Sequence, residues 1–150
     1  MSDRAGPANS AAAAGVDGAW EFRLPAHFSR EAARLQSQGI DDWHTLANLD
    51  DASLRQLARG GGASEARLIK LRGQARLVID VGVSPADAAL LLYSGIASRQ
   101  GLAQADPDRL LVLVGRFQRQ LLGRAAVPIE AALVRRWIRQ ARDNASRPPN

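Results

Sequence analysis

Cysteine is absent from the 150 residues, so a disulfide scaffold, a thiolate zinc site, an iron–sulfur cluster and a cysteine nucleophile are excluded together. Histidine occurs twice, as His27 and His44, and neither has a carboxylate or a second histidine at a metal-ligand spacing. Aromatic residues make up 5% of the chain, and Val and Ile together number only 14, which argues against an all-β or doubly wound α/β fold. Uninterrupted apolar stretches such as residues 88–93 are far too short to cross a bilayer. The opening Met1-Ser2-Asp3-Arg4 does not read as a secretory leader, and the expectation is a soluble, cytoplasmic protein without a membrane partner. Neither a Gly-x-Ser-x-Gly elbow, nor paired glutamates in an apolar setting, nor a dinucleotide fingerprint is present. No enzyme, cofactor, metal or small-molecule substrate is therefore expected.

What the chain has in quantity is alanine (28 residues), leucine (19) and arginine (19), all helix formers. Leu, Ile, Val and Phe number 36, enough for a close-packed, alanine-lined core in one domain. The expected fold is all-α. Charge is unevenly spread. Residues 1–58 carry five Arg against eight acids, net −3, and residues 59–76 four Arg and Lys70 against Glu65, net +4. Residues 77–108 return to −3, and residues 109–150 hold nine Arg against Glu130 and Asp143, net +7. Basic segments bordered by acidic ones suit a polyanion or a complementary protein surface, the alternative being a merely solvated helix face.

Residues 1–18 lack periodic large apolar side chains and read as a disordered tail, as do residues 145–150 at the other end. Between them, residues 19–144 read as short helices punctuated by Gly, Pro, Asp and Ser. A helix is expected over residues 29–38 with Ser29 as its cap and Gly39 closing it. Asp41 or Asp42 opens a short helix, Asp50-Asp51 the next, and Ser64 a longer one to about Asp80, with Gly73 a place for a bend. Ser84-Pro85 starts another, which Gly95 ends; Ser98 and Asp106-Pro107 open two more, and Pro128 the last. Trp20 and Phe22 are expected to lie on the first helices as a lid.

A repeat organises these helices. Shifting residues 32–57 by 56 positions lays Ala32-Ala33 on Ala88-Ala89, Leu35 on Leu91, Gly39-Ile40 on Gly95-Ile96, Leu46-Ala47 on Leu102-Ala103, Asp50 on Asp106, Leu54 on Leu110 and Leu57 on Leu113. The matches are ten of 26 positions, and they are turns, caps and apolar faces. Two copies of one helical unit, about residues 24–80 and 81–144, are expected to complete each other's core.

The unit resembles helix-hairpin-helix modules, the SAM-like short-helix bundles that include the C-terminal domain of the bacterial RNA polymerase α subunit. More closely, residues about 24–142 resemble a bacterial family known only as DUF4332, a domain of unknown function. The residues that carry the likeness are Gly82-Val83, Ala88-x-Leu90-Leu91, Gly95-Ile96, Leu102-Ala103 and Pro107-x-x-Leu110, then Val127-Pro128 and Trp137-Ile138-x-Gln140-Ala141-Arg142. The resemblance implies tandem helix-hairpin-helix modules closed by a C-terminal helix. It also implies phosphate contact through a hydrophobic-Gly-hydrophobic-Gly turn whose backbone N–H groups open a helix. Here the second turn reads Val81-Gly82-Val83-Ser84, with Asp80 and Asp87 beside it, and the first, Pro25-Ala26-His27-Phe28, has neither glycine.

Three groups emerge as sites for phosphate or nucleic acid. Gly60, Gly61, Gly62, Ser64, Arg67 and Lys70 form an anion cradle at a helix start, or else an interhelical linker. Gly82 and Ser84 form the second hairpin. Arg135, Arg139 and Arg142 recur at i, i+4 and i+7 as a basic ridge opposite Ile129, Leu133, Trp137 and Ala141, which read as core. Arg109, Arg116 and Arg119 widen that ridge if their helix lies beside it. The expected function is a non-catalytic module that binds DNA or RNA through backbone phosphates without strong base specificity. The alternative is a protein–protein adaptor within a bacterial complex.

Overall fold

The computed structural model describes residues 20–123 and 128–144. The expected tails at 1–18 and 145–150, and Val127 of the closing motif, lie outside the described residues. Within them the protein is all-α, with eight α-helices and no strand. A 3-10 turn, Ala26–Phe28, leads into α1 (Ser29–Ser37), followed by α2 (Trp43–Ala47), α3 (Asp51–Ala58) and α4 (Glu65–Arg76). The second half contains α5 (Pro85–Tyr93), α6 (Arg99–Ala103), α7 (Pro107–Leu122) and α8 (Ala131–Asn144). The bounds of α5 and α6 are those of α1 and α2 moved by 56 residues, and α7 starts at the same offset from α3.

Local chemistry explains the boundaries. The side chains of Asp42, Asp50, Ser64, Ser84, Ser98 and Asp106 each accept the backbone N–H three residues on, satisfying a donor that the first helical turn leaves orphaned. Those hydrogen bonds to backbone and side-chain groups of Thr45 and Ser53 hold Asp42 and Asp50 below the usual carboxylate range. Both Gly-Ile turns close their helices alike. Gly39 and Gly95 sit at φ 76° and 91°, and the following Ile N–H donates to Leu35 or Leu91.

Three boundaries differ from those expected. Ser29 is the first residue of α1 rather than its cap, because the 3-10 turn, closed by Phe28 N–H to Pro25 carbonyl, feeds straight into the helix and buries Phe28. The helix after Ser64 ends its α-register at Arg76 and continues as a π turn, Leu77–Val81, closed by Gly82 at φ 90°. The last helix starts at Ala131, with the Glu130 carbonyl accepting its first bonds, three residues after Pro128.

One core runs through both halves, from Phe28, Leu35 and Leu46 through Leu68, Leu71 and Leu77 to Leu91, Leu102, Val134 and Trp137. Within each half the short second helix packs on the fourth, α2 on α4 and α6 on α8. The π turn is the hub between the halves, touching α2, α5, α6 and α8. Asn144, at the end of α8, donates its side-chain amide to the carbonyls of Asp80 and Val81 there. Gly73 lies where α4 meets the second Gly-Ile turn: a Cβ added to it would stand 2.9 Å from that of Ala97. Its reason is close packing rather than a bend. Trp43 is buried, donates its indole N–H to the Glu21 carbonyl, and meets Phe22 edge-on at 4.9 Å. Phe22 and Trp20 rest on the core as the expected lid.

Candidate functional site

The three groups of candidate phosphate ligands have different surroundings. At the first, Gly60, Gly61 and Gly62 are exposed and all have positive φ, 81°, 82° and 86°, so the loop is one that only glycine tolerates without strain. It delivers Ser64 and Arg67 to a carboxylate of the chain itself. Glu31, on α1 and 2% exposed, accepts the Ser64 N–H at 2.9 Å through Oε2 and the Arg67 Nε–H at 3.2 Å through Oε1. Burial alone would raise the Glu31 pKa; the Ser64 N–H and the Arg67 guanidinium outweigh it and hold the group below its ordinary value. Arg67 also donates to the His27 carbonyl and lies 4.5 Å above the Phe28 ring. Its own N–H is taken by the Ser64 hydroxyl oxygen. Lys70 remains exposed on the next turn. An anion does sit on this helix start, and the protein supplies it.

At the second group the donors are few. Pro85 has no N–H, the Asp87 N–H goes to Ser84 Oγ at 3.1 Å, and the Ala88 N–H goes to the Ser84 carbonyl at 2.8 Å. Asp87 is pushed up by burial, an effect that hydrogen bonds from the Trp137 indole and the Ser84 hydroxyl only partly offset. Asp87 occupies the position 56 residues after Glu31. Both halves thus place a carboxylate from their first helix against their fourth, Glu31 at the start of α4 and Asp87 at Trp137 within α8.

The third group divides. Arg142 is committed: its Nε–H caps the carbonyl of Ala103, the last residue of α6, at 2.9 Å. Arg76 does the same for Ala47, the last residue of α2, at 3.1 Å. Arg135 and Arg139 are exposed and make no hydrogen bond or ion pair among the described residues, while Val134, Trp137, Ile138 and Ala141 bury the opposite face. Ion pairs elsewhere in the structure include Arg23–Glu21, Arg67–Glu31 and Arg72–Asp51. Helix α7 packs against α8 and exposes Arg109, Arg116 and Arg119, so the condition for a wider basic surface on neighbouring helices is met.

Sequence reasoning missed two features. Position 31/87, Glu against Asp, differs between the repeats and lies one residue before the compared stretch that starts at Ala32. The Gln74-Ala75-Arg76 and Gln140-Ala141-Arg142 triplets are identical, but their offset is 66 rather than 56 because α7 is longer than α3. Realigning after the longer helix pairs Arg142 with Arg76, whose shared role only the structure reveals. His27 meets the Tyr93 hydroxyl and His44 the Asn48 amide; among the described residues no cluster of three His, Cys, Asp or Glu could hold a metal. Nor is any helix among them long and apolar enough to cross a membrane.

An all-α chain built from two helical units defines the class of this protein. Residues 25–144 match the family described as Domain of unknown function (DUF4332), and the chain belongs to that family. No curated protein and no solved structure matches it significantly.

Proposed function

We propose that this domain is a non-catalytic binding module whose second half meets the phosphate backbone of a nucleic acid without selecting bases. Each half is read as a variant helix-hairpin-helix unit, in a short-helix bundle akin to the C-terminal domain of the RNA polymerase α subunit. The observation that carries the proposal is the pair Arg135 and Arg139, exposed one turn apart with no partner among the described residues. Arg109, Arg116 and Arg119 on the adjoining α7 add to it. Contact comes from helix faces, because Glu31 and Asp87 stand at the turns. Guanidinium groups on a helix face neutralise phosphates and carry no base code of their own.

The test is a salt titration of binding to a short DNA duplex and to single-stranded RNA, followed by fluorescence anisotropy. Affinity should fall steeply with salt, and Arg135→Ala with Arg139→Ala should reduce the logarithmic slope by about 2, at ~0.9 per phosphate contact. No binding at low salt ends this reading. The second reading, a protein adaptor, is favoured by the acidic stretch of residues 1–58 (net −3) and by an exposed Val112 on α7. Partners that survive nuclease treatment in a pull-down support the adaptor, and partners lost with nuclease support the first reading.

A further inference from the structure

We propose that α7 carries a docking groove for an acidic amphipathic helix of a partner protein. The groove, about 340 Å³, lies between α7 and Pro128 and Ile129, with Leu111, Val112, Gly115, Gln118 and Arg119 as its other main walls. Gly115 is one of its lining residues. A glycine inside a helix costs about 1 kcal/mol relative to alanine. At Gly73 the fold explains the glycine, since a Cβ there would collide with Ala97 at 2.9 Å. At Gly115 it does not, since an added Cβ would meet only the tip of Arg119, at an ordinary 3.5 Å. What the missing side chain keeps open is the floor of the groove, so the glycine serves an approach from outside the chain.

The neighbours define the visitor. Val112 is 58% exposed, against 43% for Ile69, the other exposed large apolar side chain among the described residues. It shares one face of α7 with Gly115, Arg116 and Arg119, at i, i+3, i+4 and i+7. Leu111 and Ile129 are half-buried and offer further apolar area. Arg109, Arg116 and Arg119 have exposed side chains without ion-pair partners among the described residues; Asp108, at i−4 from Val112, and Glu130 are exposed as well. A phosphate backbone can pair with these arginines but has nothing to place on Val112 and Leu111. A helix with one apolar stripe flanked by carboxylates satisfies both parts, its stripe crossing at Gly115 and its acids turned to Arg116 and Arg119. The groove shares Arg116 and Arg119 with the wider basic surface of the first proposal, but the Arg135–Arg139 pair that carries that proposal does not line it, and neither proposal requires the other.

The experiment titrates the isotope-labelled full chain with three synthetic helical peptides. One has a leucine stripe flanked by glutamates, one has the same composition scrambled, and one replaces its glutamates by lysines. The first should bind saturably and shift the NMR signals of Val112, Gly115, the Gln118 amide and Ile129; the other two should bind at least about tenfold more weakly. Gly115→Leu should remove binding. Should that variant fail to fold, Arg116→Glu with Arg119→Glu decides instead, by switching preference to the lysine peptide. Equal binding of the acidic and scrambled peptides overturns the proposal, as do shifts elsewhere or an unchanged preference after charge reversal. Sedimentation that reveals a dimer disrupted by Val112→Asp would give the groove to a second copy and overturn it too. Nucleic-acid affinity is measured in parallel: its loss with Arg135→Ala and Arg139→Ala, without loss of the peptide, separates the two sites.

Discussion

Replacing Glu31 by glutamine removes the charge that sits on the start of α4 while leaving the shape of the side chain. The native carboxylate is 2% exposed and accepts two donors, the Ser64 N–H at 2.9 Å and the Arg67 Nε–H at 3.2 Å. A glutamine has one oxygen for two donors, so its amide faces either a backbone N–H or a guanidinium. Hydrogen bonds to charged groups contribute about 1.5–3 kcal/mol each, and breaking a fully buried ion pair costs about 3–5 kcal/mol. The Arg67 side chain is 39% exposed and turns to water when its partner goes, which lowers the cost. The expected loss is about 2 kcal/mol, or roughly 8 °C in Tm. Urea unfolding followed by tryptophan fluorescence measures it. The pH dependence provides a second readout. Because the folded pKa lies below the unfolded value of 4.5, the Glu31 contribution is whole above about pH 4.5 and fades as pH falls through the folded pKa. The difference between native and variant stability should therefore shrink in acid. A variant as stable as the native chain at neutral pH, or a difference that persists unchanged in acid, would refute the role given to Glu31.

Asp87 behaves in the opposite sense. Its pKa is raised above 3.8 chiefly by burial, so the unfolded chain ionises first and stability falls as pH rises through that window. Asp87→Asn, whose oxygen can still accept from Trp137, should be at least as stable as the native protein at neutral pH, by thermal melts across pH. Gly73→Ala should destabilise by about 1–2 kcal/mol, since the Ala97 contact exceeds the helix-propensity gain, whereas Gly115→Ala should stabilise by about 0.5–1 kcal/mol; chemical denaturation of the pair checks both signs. Arg142→Ala should cost about 1 kcal/mol through the exposed Ala103 carbonyl, and Arg139→Ala almost nothing, measured the same way.

Much of this fold was legible because its signals are local. Caps at Asp42, Asp50, Ser64, Ser84, Ser98 and Asp106 act over three residues, and the Gly39-Ile40 and Gly95-Ile96 turns need φ values that glycine supplies most cheaply. The Arg135–Arg139 ridge followed from helical periodicity alone. What the sequence could not disclose depends on contacts between distant segments. Glu31 and Arg67 are 36 positions apart, and nothing in either neighbourhood announces that one neutralises the other. Arg142 resembles its ridge neighbours in spacing, yet its position at the end of α8 brings it to Ala103, 39 residues away. Gly73 and Gly115 look alike in sequence; only the close approach of Ala97 to one, and of no more than the tip of Arg119 to the other, separates them. The change from α to π geometry after Arg76 likewise answers to the four helices that converge on residues 77–81.

Cations left free on α7 and α8, with the helix starts already occupied by the protein's own carboxylates, are the core of this account. Mapping amide and arginine Nε–H NMR shifts on addition of a short DNA duplex at low salt examines it most directly. Shifts at Arg135 and Arg139 and along α7, with Gly60–Gly62 and Gly82 silent, are the result it predicts. Shifts concentrated at those glycines, with α8 undisturbed, would contradict it.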